Sequence, residues 1–456
     1  MEGLQRMGLV DAILLDGTVL TFAIAVTILA GVLAGLFPAF RAADDGLAGT
    51  LQSAGRGAVA SERGARLRGA LVVGQFALAV MLLHAAGLLL HSFVRLTSVD
   101  PGFRTERVLS FPIDLPPAAY ASDERVAIFF RRLFEGVKRQ SGVLSVGAIH
   151  HLPIGSAGSF SSRFRVEGRT PEGEEPLIGV RIVTPEYFQT IGVPLLQGRG
   201  IEDQDRAGGF PTVVINEAAA GQFFGNEDPI GKRLAAFGYD AIENAAETFT
   251  VIGIVADVRS RGLSEGPQAE AYFAQAQVPH RRMFVVVRTS GDPVAQIGSV
   301  RTELRMLDPN LPIPEFRTLE QVVADSLTRS RFFTTLLTLF SGVALTLAAV
   351  GIFGLLSFAV ARRTREMGVR IALGASPSTL VRTIVREALT LVLFGLFIGF
   401  GGALALTHIL ESELFGISRI DPVTIAGVIM TLGATALLAS LIPAWRASTI
   451  DPLVAL

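Results

Sequence analysis

Five stretches of this chain are long, apolar and free of Asp, Glu, Lys and Arg: residues 18–37, 69–90, 332–361, 388–410 and 422–443. A helix rises 1.5 Å per residue, so about 20 apolar residues cross the ~30 Å hydrocarbon layer of a bilayer, and each stretch reaches that length. Core helices of soluble proteins are shorter and keep a polar face. The chain therefore reads as a membrane protein with five spans. The segment before the first span carries Glu2, Arg6, Asp11 and Asp16, which is net acidic where a cleavable leader would be basic.

Arginine placement sets the orientation. Residues 38–68 carry Arg41, Arg56, Arg63, Arg66 and Arg68, and the connection after the third block carries Arg362, Arg363, Arg365, Arg370, Arg382 and Arg386. Residues 411–421 hold only Arg419 against three acids. Both Arg-rich connections and the tail with Arg446 are expected in the cytoplasm, and residues 91–331 outside. Arg56 to Arg68 is expected to form a separate interfacial helix. Charged residues make up 18% of the chain and the formal net charge is −1, so bulk electrostatics offer nothing to nucleic acid. Without a cysteine there is no disulfide framework, Cys-ligated metal or thiol nucleophile.

The large outside segment has ordinary globular composition. Strands are expected at 108–115, 143–149, 163–166, 178–183, 212–215, 249–258 and 283–288 from β-branched and aromatic runs. Helical spacing of Val126, Phe129, Phe130, Leu133 and Val137 predicts a helix over 122–140, capped by Ser122 or Asp123. A second helix is expected over 293–307. This is an α+β module of two subdomains, so the fold class is an α-helical transmembrane bundle with a large α+β domain.

Catalytic motifs are weak. His150 and His151 are adjacent, and strand alternation would turn them to opposite faces, away from a shared ion. The G-x-S-x-G match at Gly262–Gly266 is separated from its strand by Arg259-Ser260-Arg261 and followed by Pro267, which suits a loop better than a nucleophile elbow. Gly225 to Arg233 has five residues between its glycines and Arg where a P-loop needs Ser or Thr, so it reads as a turn before a strand. No enzyme, metal site or cofactor is expected. Within the spans, Gln75, His84 and His408 read as helix-contact residues, and Gly31-x-x-x-Gly35 and Gly395-x-x-x-Gly399 as points of close helix approach.

The first and last blocks are copies. Residues 35–42, Gly-Leu-Phe-Pro-Ala-Phe-Arg-Ala, match residues 440–447, Ser-Leu-Ile-Pro-Ala-Trp-Arg-Ala, and Asp16 matches Asp421 at the same offset. In each copy Asp is expected to begin the helix at the outer face and Pro to stop it near the inner face. One helix, a large outside domain and three helices ending in Leu441-Ile442-Pro443-Ala444-Trp445-Arg446-Ala447 resemble the permease family of FtsX and MacB, most closely its fused two-unit members. Val183-Thr184-Pro185-Glu186-Tyr187-Phe188-Gln189-Thr190-Ile191-Gly192, then Leu195 to Arg199, Val214-Ile215-Asn216-Glu217, Asp228-Pro229-Ile230-Gly231-Lys232 and Val251 to Val258 are similar to that family's periplasmic core signature. Arg365 to Ala375 resembles its coupling segment.

The resemblance implies residues 1–51 as the last helix and tail of a preceding unit, 52–68 as a cytoplasmic interfacial segment, and 69–90 as a span. It further implies 91–331 as a MacB-like core and 332–456 as an FtsX-like permease domain in the inner membrane. It implies a separate cytoplasmic ABC ATPase that binds the ATP, a second permease unit, fused or dimeric, and a periplasmic adaptor. Arg363, Glu366, Met367, Gly368, Arg370, Leu373 and Gly374 are the expected ATPase-coupling residues, on a short amphipathic helix. Export by mechanotransmission is the leading function. An FtsX-like regulator of a cell-wall enzyme, or a truncated remnant, is the alternative.

Overall fold

The computed structural model describes residues 17–18, 20–22, 24–29, 31–32, 57–154, 160–169, 175–237, 248–372, 377–410, 414–418 and 420–448. In chain order the elements are α1 (Gly57–Thr97), β1 (Val108–Asp114), α2 (Asp123–Lys138), β2 (Val143–Ile149), β3 (Ser161–Val166), β4 (Leu177–Val183), α3 (Tyr187–Ile191), β5 (Leu195–Gly198) and β6 (Thr212–Asn216). There follow α4 (Glu217–Phe224), β7 (Arg233–Phe237), β8 (Thr248–Val255), β9 (Glu270–Ala274), β10 (Arg282–Thr289), α5 (Ile297–Leu307), β11 (Arg317–Thr318), α6 (Leu319–Ser326), α7 (Thr328–Ala372), α8 (Pro377–Leu410) and α9 (Pro422–Ser448). Two compact units result: a helical one from Met1–Arg95 with Arg329–Leu456, and an α+β one from Leu96–Thr328.

Four helices of the helical unit are long and apolar enough to cross a membrane, at Gly69–Thr97, Thr328–Phe358, Leu389–His408 and Pro422–Pro443. The leading block is described only in part and is helical there, over Leu20–Leu29. The expected interfacial helix before the second block is not separate: α1 runs unbroken from Gly57, because no proline or polar turn interrupts 57–97. Likewise α9 continues through Pro443 to Ser448. A proline in a membrane helix removes one backbone bond without ending the helix when neighbours re-satisfy the freed carbonyl, so Pro443 is not the expected stop. Val72, Phe76, Ala79, Val80, Ala348, Ile352, Val392 and Leu432 form the buried core of this bundle. Its outer faces expose Leu339, Leu347, Val350, Phe394, Phe397 and Leu438, which lipid tails cover at no cost.

Glycine sets the distance between α8 and α1. A Cβ on Gly395 would lie 2.5 Å from Phe76 Cβ, one on Gly399 2.6 Å from Val80 Cβ, and one on Gly402 2.7 Å from Met81 Sδ. Gly395-x-x-x-Gly399 is thus a close-approach motif, extended by Gly402. A Cβ on Gly31 meets nothing within 4 Å, and Gly35 lies outside the described residues.

The α+β unit has two lobes. In the first, β1, α2, β2, then β10, α5 and β11 form an antiparallel sheet of order β11-β1-β10-β2, the split β-α-β arrangement of ferredoxin-like folds. Phe111, Ile113, Phe129, Phe130, Leu133, Met283, Val285 and Leu304 fill the space between its sheet and helices. Ser122 caps α2, its side chain accepting from Arg125 N. The second lobe is inserted between β2 and β10. There β4-β3-β7-β8-β6-β9 close into a ring through the parallel β4–β9 pairing. Ile178, Val180 and Ile182 alternate into the ring, where Phe164, Phe249, Phe273 and Val213 meet them.

Candidate functional site

Three places position polar groups for work, two in the helical unit and one in the α+β unit. The first is the Arg-rich end of α7. Arg363, Glu366, Met367, Gly368 and Arg370 stand on α7, which stays helical to Ala372 over 45 residues. Side-chain placement at 362–372, and Leu373 and Gly374 entirely, lie outside the described residues. The expected short separate helix is instead an unbroken continuation of the span. No proline occurs between Thr328 and Pro377, and Gly368, the one glycine between Ala361 and Ala372, costs only about 1 kcal/mol of helix propensity. At 1.5 Å per residue the rod is roughly 68 Å long, about twice the hydrocarbon thickness.

The second place is the opposite end of the bundle. Asp421 begins α9 as the sequence suggests: its Oδ2 accepts from Thr424 N at 2.8 Å and from Thr424 Oγ1 at 2.6 Å. His91 Nδ1 of α1 donates to the same oxygen at 3.1 Å. The Thr424 bonds, first that of its hydroxyl, hold the Asp421 carboxyl below the ordinary range against the opposing effect of burial. At the residue after His91, Ser92 Oγ accepts from Phe415 N at 2.8 Å, and one turn on Arg95 donates to Gly416 O. A Cβ on Gly87 would lie 2.7 Å from Thr424 Cγ2. The loop between α8 and α9 is therefore pinned to α1 by consecutive polar contacts and one close approach.

The third place is the junction of the two α+β lobes. Arg181 of β4 pairs with Glu270 of β9 at 2.6 Å, with side chains 5% and 1% exposed. Glu270 Oε2 also accepts from Tyr272 Oη at 2.7 Å and Ser260 Oγ at 3.0 Å. The burial of this charge pair is compensated by a satisfied network under an apolar joint of Ile149, Val183, Tyr187, Val214, Val255 and Val286. Burial, then the adjacent Glu270 charge, pushes the Tyr187 and Tyr272 hydroxyls well above their ordinary value. These groups are held, not poised for proton transfer.

Beside them the histidines are placed differently from the expectation. β2 ends at Ile149, so strand alternation does not govern the next two residues, and the His150 and His151 rings meet edge-on at 4.5 Å between centroids. His280 lies 5.4 Å from His150. Ile182 N donates to His150 Nδ1 at 3.0 Å, so the neutral ring carries its proton on Nε2 and offers no lone pair there to a metal. No group of three or more His, Asp or Glu has metal-holding geometry among the described residues. The Gly262–Gly266 match lies in a turn between β8 and β9 with no helix after it, and Gly225 to Arg233 is a turn leading into β7. A cleft of about 400 Å³ in the α+β unit is lined by Phe111, Leu152, Phe284 and Val322, with Glu315, Arg317 and Asp325 at its polar side.

Two family models match the chain: the MacB-like periplasmic core domain over residues 70–305 and the FtsX-like permease C-terminal domain over 338–452. The core match alone covers more than half of the chain. The chain belongs to the MacB/FtsX-like ABC transporter permease family. It is 26% identical over 303 residues to a macrolide export ATP-binding/permease protein MacB of Hahella chejuensis (strain KCTC 2396), covering 61% of this chain and 43% of that protein. It is 23% identical over 298 residues to the uncharacterized ABC transporter permease YvrN of Bacillus subtilis (strain 168), covering 60% of this chain and 68% of that one. The chain thus spans less than half the length of its MacB relative. The periplasmic region of MacB from Actinobacillus actinomycetemcomitans aligns over 50% of this chain and 95% of its own, at 17% identity and a TM-score of 0.33.

The MacB-like core explains why its signature has the residues it has. Val183 to Gly192 is the corner at which the ring passes to the ferredoxin-like lobe. Glu186 and Gly192 take left-handed conformations at φ +64 and +74, bracketing α3. Tyr187 lies so close over β2 that a Cβ on Gly147 would come within 2.6 Å of its Cα. Arg199, at the end of the signature, holds Asp205 with two bonds of 2.7 and 2.8 Å. Periodicity did not reveal the His150–His280 contact or the Asp421–His91 pair, because each joins residues far apart in sequence; only Asp421 itself, as a cap before an apolar run, was visible.

Proposed function

We propose that this MacB/FtsX-like chain is the non-catalytic membrane subunit of an ABC export system, driven by a separate cytoplasmic ATPase that engages the Arg-rich end of α7. The observation that carries the reading is the continuity of α7: a force applied between Arg363 and Arg370 acts on one rod and is not absorbed by a loop. Arg363, Glu366 and Arg370 fall near one face at helical spacing, with Met367 on an adjoining face, and Leu373 and Gly374 complete the docking segment. The spans hold few ionisable groups, which suits transmission of movement better than a polar path through the bilayer. Export is supported by the name of the Hahella relative. A second permease unit, fused or dimeric, and a periplasmic adaptor complete the proposed assembly.

The test is co-expression of the full chain with its candidate ATPase. Glu366→Lys and Gly368→Trp should still insert into the membrane but lose ATPase co-purification about tenfold or more, the scale of one lost charge-assisted contact plus a steric block. Unchanged co-purification and ATPase stimulation in both variants would remove the coupling role.

A further inference from the structure

The seam between the two lobes of the α+β unit depends on an imidazole. β2 and β4 share one register pair, Ile149 with Val183. Around it Thr184 N donates to Ala148 O at 3.0 Å, Ala148 N to Thr184 Oγ1 at 2.7 Å and His150 N to Ile182 O at 3.0 Å. Ile182 N returns a bond to His150 Nδ1 at 3.0 Å. That acceptor exists only while the ring is neutral, because the imidazolium carries a proton on both nitrogens.

The surroundings offer a buried imidazolium no relief. His150 is fully buried. From its own strand end it faces His151, from the start of β10 His280, and from β4 Arg181. Glu270 of β9 is already committed to Arg181, Tyr272 and Ser260. Asp114 of β1 is exposed, lies 3.7 Å from Arg282 and acts on His280. Phe160 closes the remaining side at 5.8 Å. Among the described residues no carboxylate is available to His150.

We propose that His150 is a proton-released latch: acidification puts a second proton on Nδ1, removes the acceptor for Ile182 N–H, and opens the β2–β4 seam while each lobe stays folded. The latch makes the unit responsive to the pH of the compartment it faces. It rests on the periplasmic placement of the MacB-like core and not on the ATPase coupling proposed above.

Burial, then the neighbouring His151, His280 and Arg181 charges, holds His150 well below the ordinary histidine value. Burial, then Arg181, brings His151 down to about 4. Both rings are therefore neutral in the closed seam and titrate normally once released. The closed form binds fewer protons than the open one, so its advantage is complete above the ordinary value of ~6.5 and is lost progressively as pH falls below it.

Hydrogen–deuterium exchange of the full chain in detergent, read residue by residue and corrected for intrinsic rate, tests this. Between pH 7 and pH 5 the seam amides of Ala148, His150, Ile182 and Thr184 should lose protection by about tenfold or more, while amides of the β7–β8 and β1–β10 ladders keep theirs. In His150→Asn, Oδ1 takes the place of Nδ1 as an acceptor that does not titrate, and the acid response of the seam should shrink to the part that His151 carries. His280→Asn should retain the wild-type loss. A flat wild-type profile, a parallel loss across both lobes, or an unchanged acid response in His150→Asn would each overturn the latch. Should His150→Asn fail to fold, the wild-type profile still decides between seam opening and no opening.

Discussion

The two units bury their interiors with opposite materials. In the helical unit α8 comes close to α1 where side chains are missing, at Gly395, Gly399 and Gly402 against Phe76, Val80 and Met81. The α+β unit also has a close glycine approach, Gly147 under Tyr187, but fills its interior with bulk, with Phe164, Phe249 and Phe273 inside the ring and Phe111 and Phe130 under the ferredoxin-like sheet. The reason is the solvent. Lipid tails are as apolar as leucine, so helices in a bilayer gain little by burying large side chains and gain instead from close backbone approach. Water makes every square ångström of buried apolar surface favourable, so the α+β unit recruits aromatics. Sensitivity to mutation should therefore be reversed between them.

The largest effect tests the exception within the α+β unit, its buried charge pair. Glu270→Ala leaves the Arg181 guanidinium uncompensated and should destabilise this unit by about 3–5 kcal/mol, seen in urea unfolding followed by exchange of the ring amides. Replacing both partners, Arg181→Met with Glu270→Leu, should recover most of that loss. A similar cost for single and double variants would show that the pair is more than mutual neutralisation. Phe273→Ala, at the centre of the ring, is expected to cost about 3 kcal/mol or more in the same assay.

Next, the comparison is reversed by adding bulk to the helical unit. Gly399→Leu pushes against Ala77 and Val80, where backbone cannot yield, and should cost about 1–3 kcal/mol in thermal stability of the detergent-solubilised chain. Gly427→Leu on α9, where a Cβ meets nothing within 4 Å, is the matched control and should be close to neutral. Equal effects at both positions would remove the close-approach explanation.

Smaller is the cap at the rim. Asp421→Ala should cost about 1 kcal/mol, through loss of the Thr424 bonds. Because the native Asp421 carboxyl is held below its ordinary value, its contribution is present above about pH 4 and lost as pH falls through the lower native value. The wild-type chain should show that acid loss and Asp421→Asn should not. At the bottom of the scale, Leu438→Ala on the exposed outer face of α9 should leave helix packing unchanged.

What could be read in advance follows the range of the forces involved. α2 was legible from Val126, Phe129, Phe130, Leu133 and Val137, since helical periodicity is local. β2 was legible to the residue from its apolar run. β9, Glu-Ala-Tyr-Phe-Ala, was not, and β7, Arg-Leu-Ala-Ala-Phe, was expected only as an unbounded strand after the Gly225–Arg233 turn, because alanine has little strand preference of its own. They are strands because β3, β8, β4 and β6 offer them partners. In the candidate coupling site the residue types were legible, but the continuity of α7 was not. Charges suggested a change of environment at Ala361, and a helix of good formers runs through such a change when nothing breaks it.

The sequence by itself determined which stretches are apolar enough to cross a bilayer, because length and absence of charge suffice against hydrocarbon. It also marked Asp421 as a cap, narrowed the cap of α2 to Ser122 or Asp123, and marked Gly395 and Gly399 as points of close approach, which are local signals. Only the tertiary structure decided the closure of the ring, the burial of Arg181 against Glu270, and the use of His150 as a seam acceptor. Each joins groups tens of residues apart, and each becomes favourable only after the chain has closed those loops and excluded water from the contact.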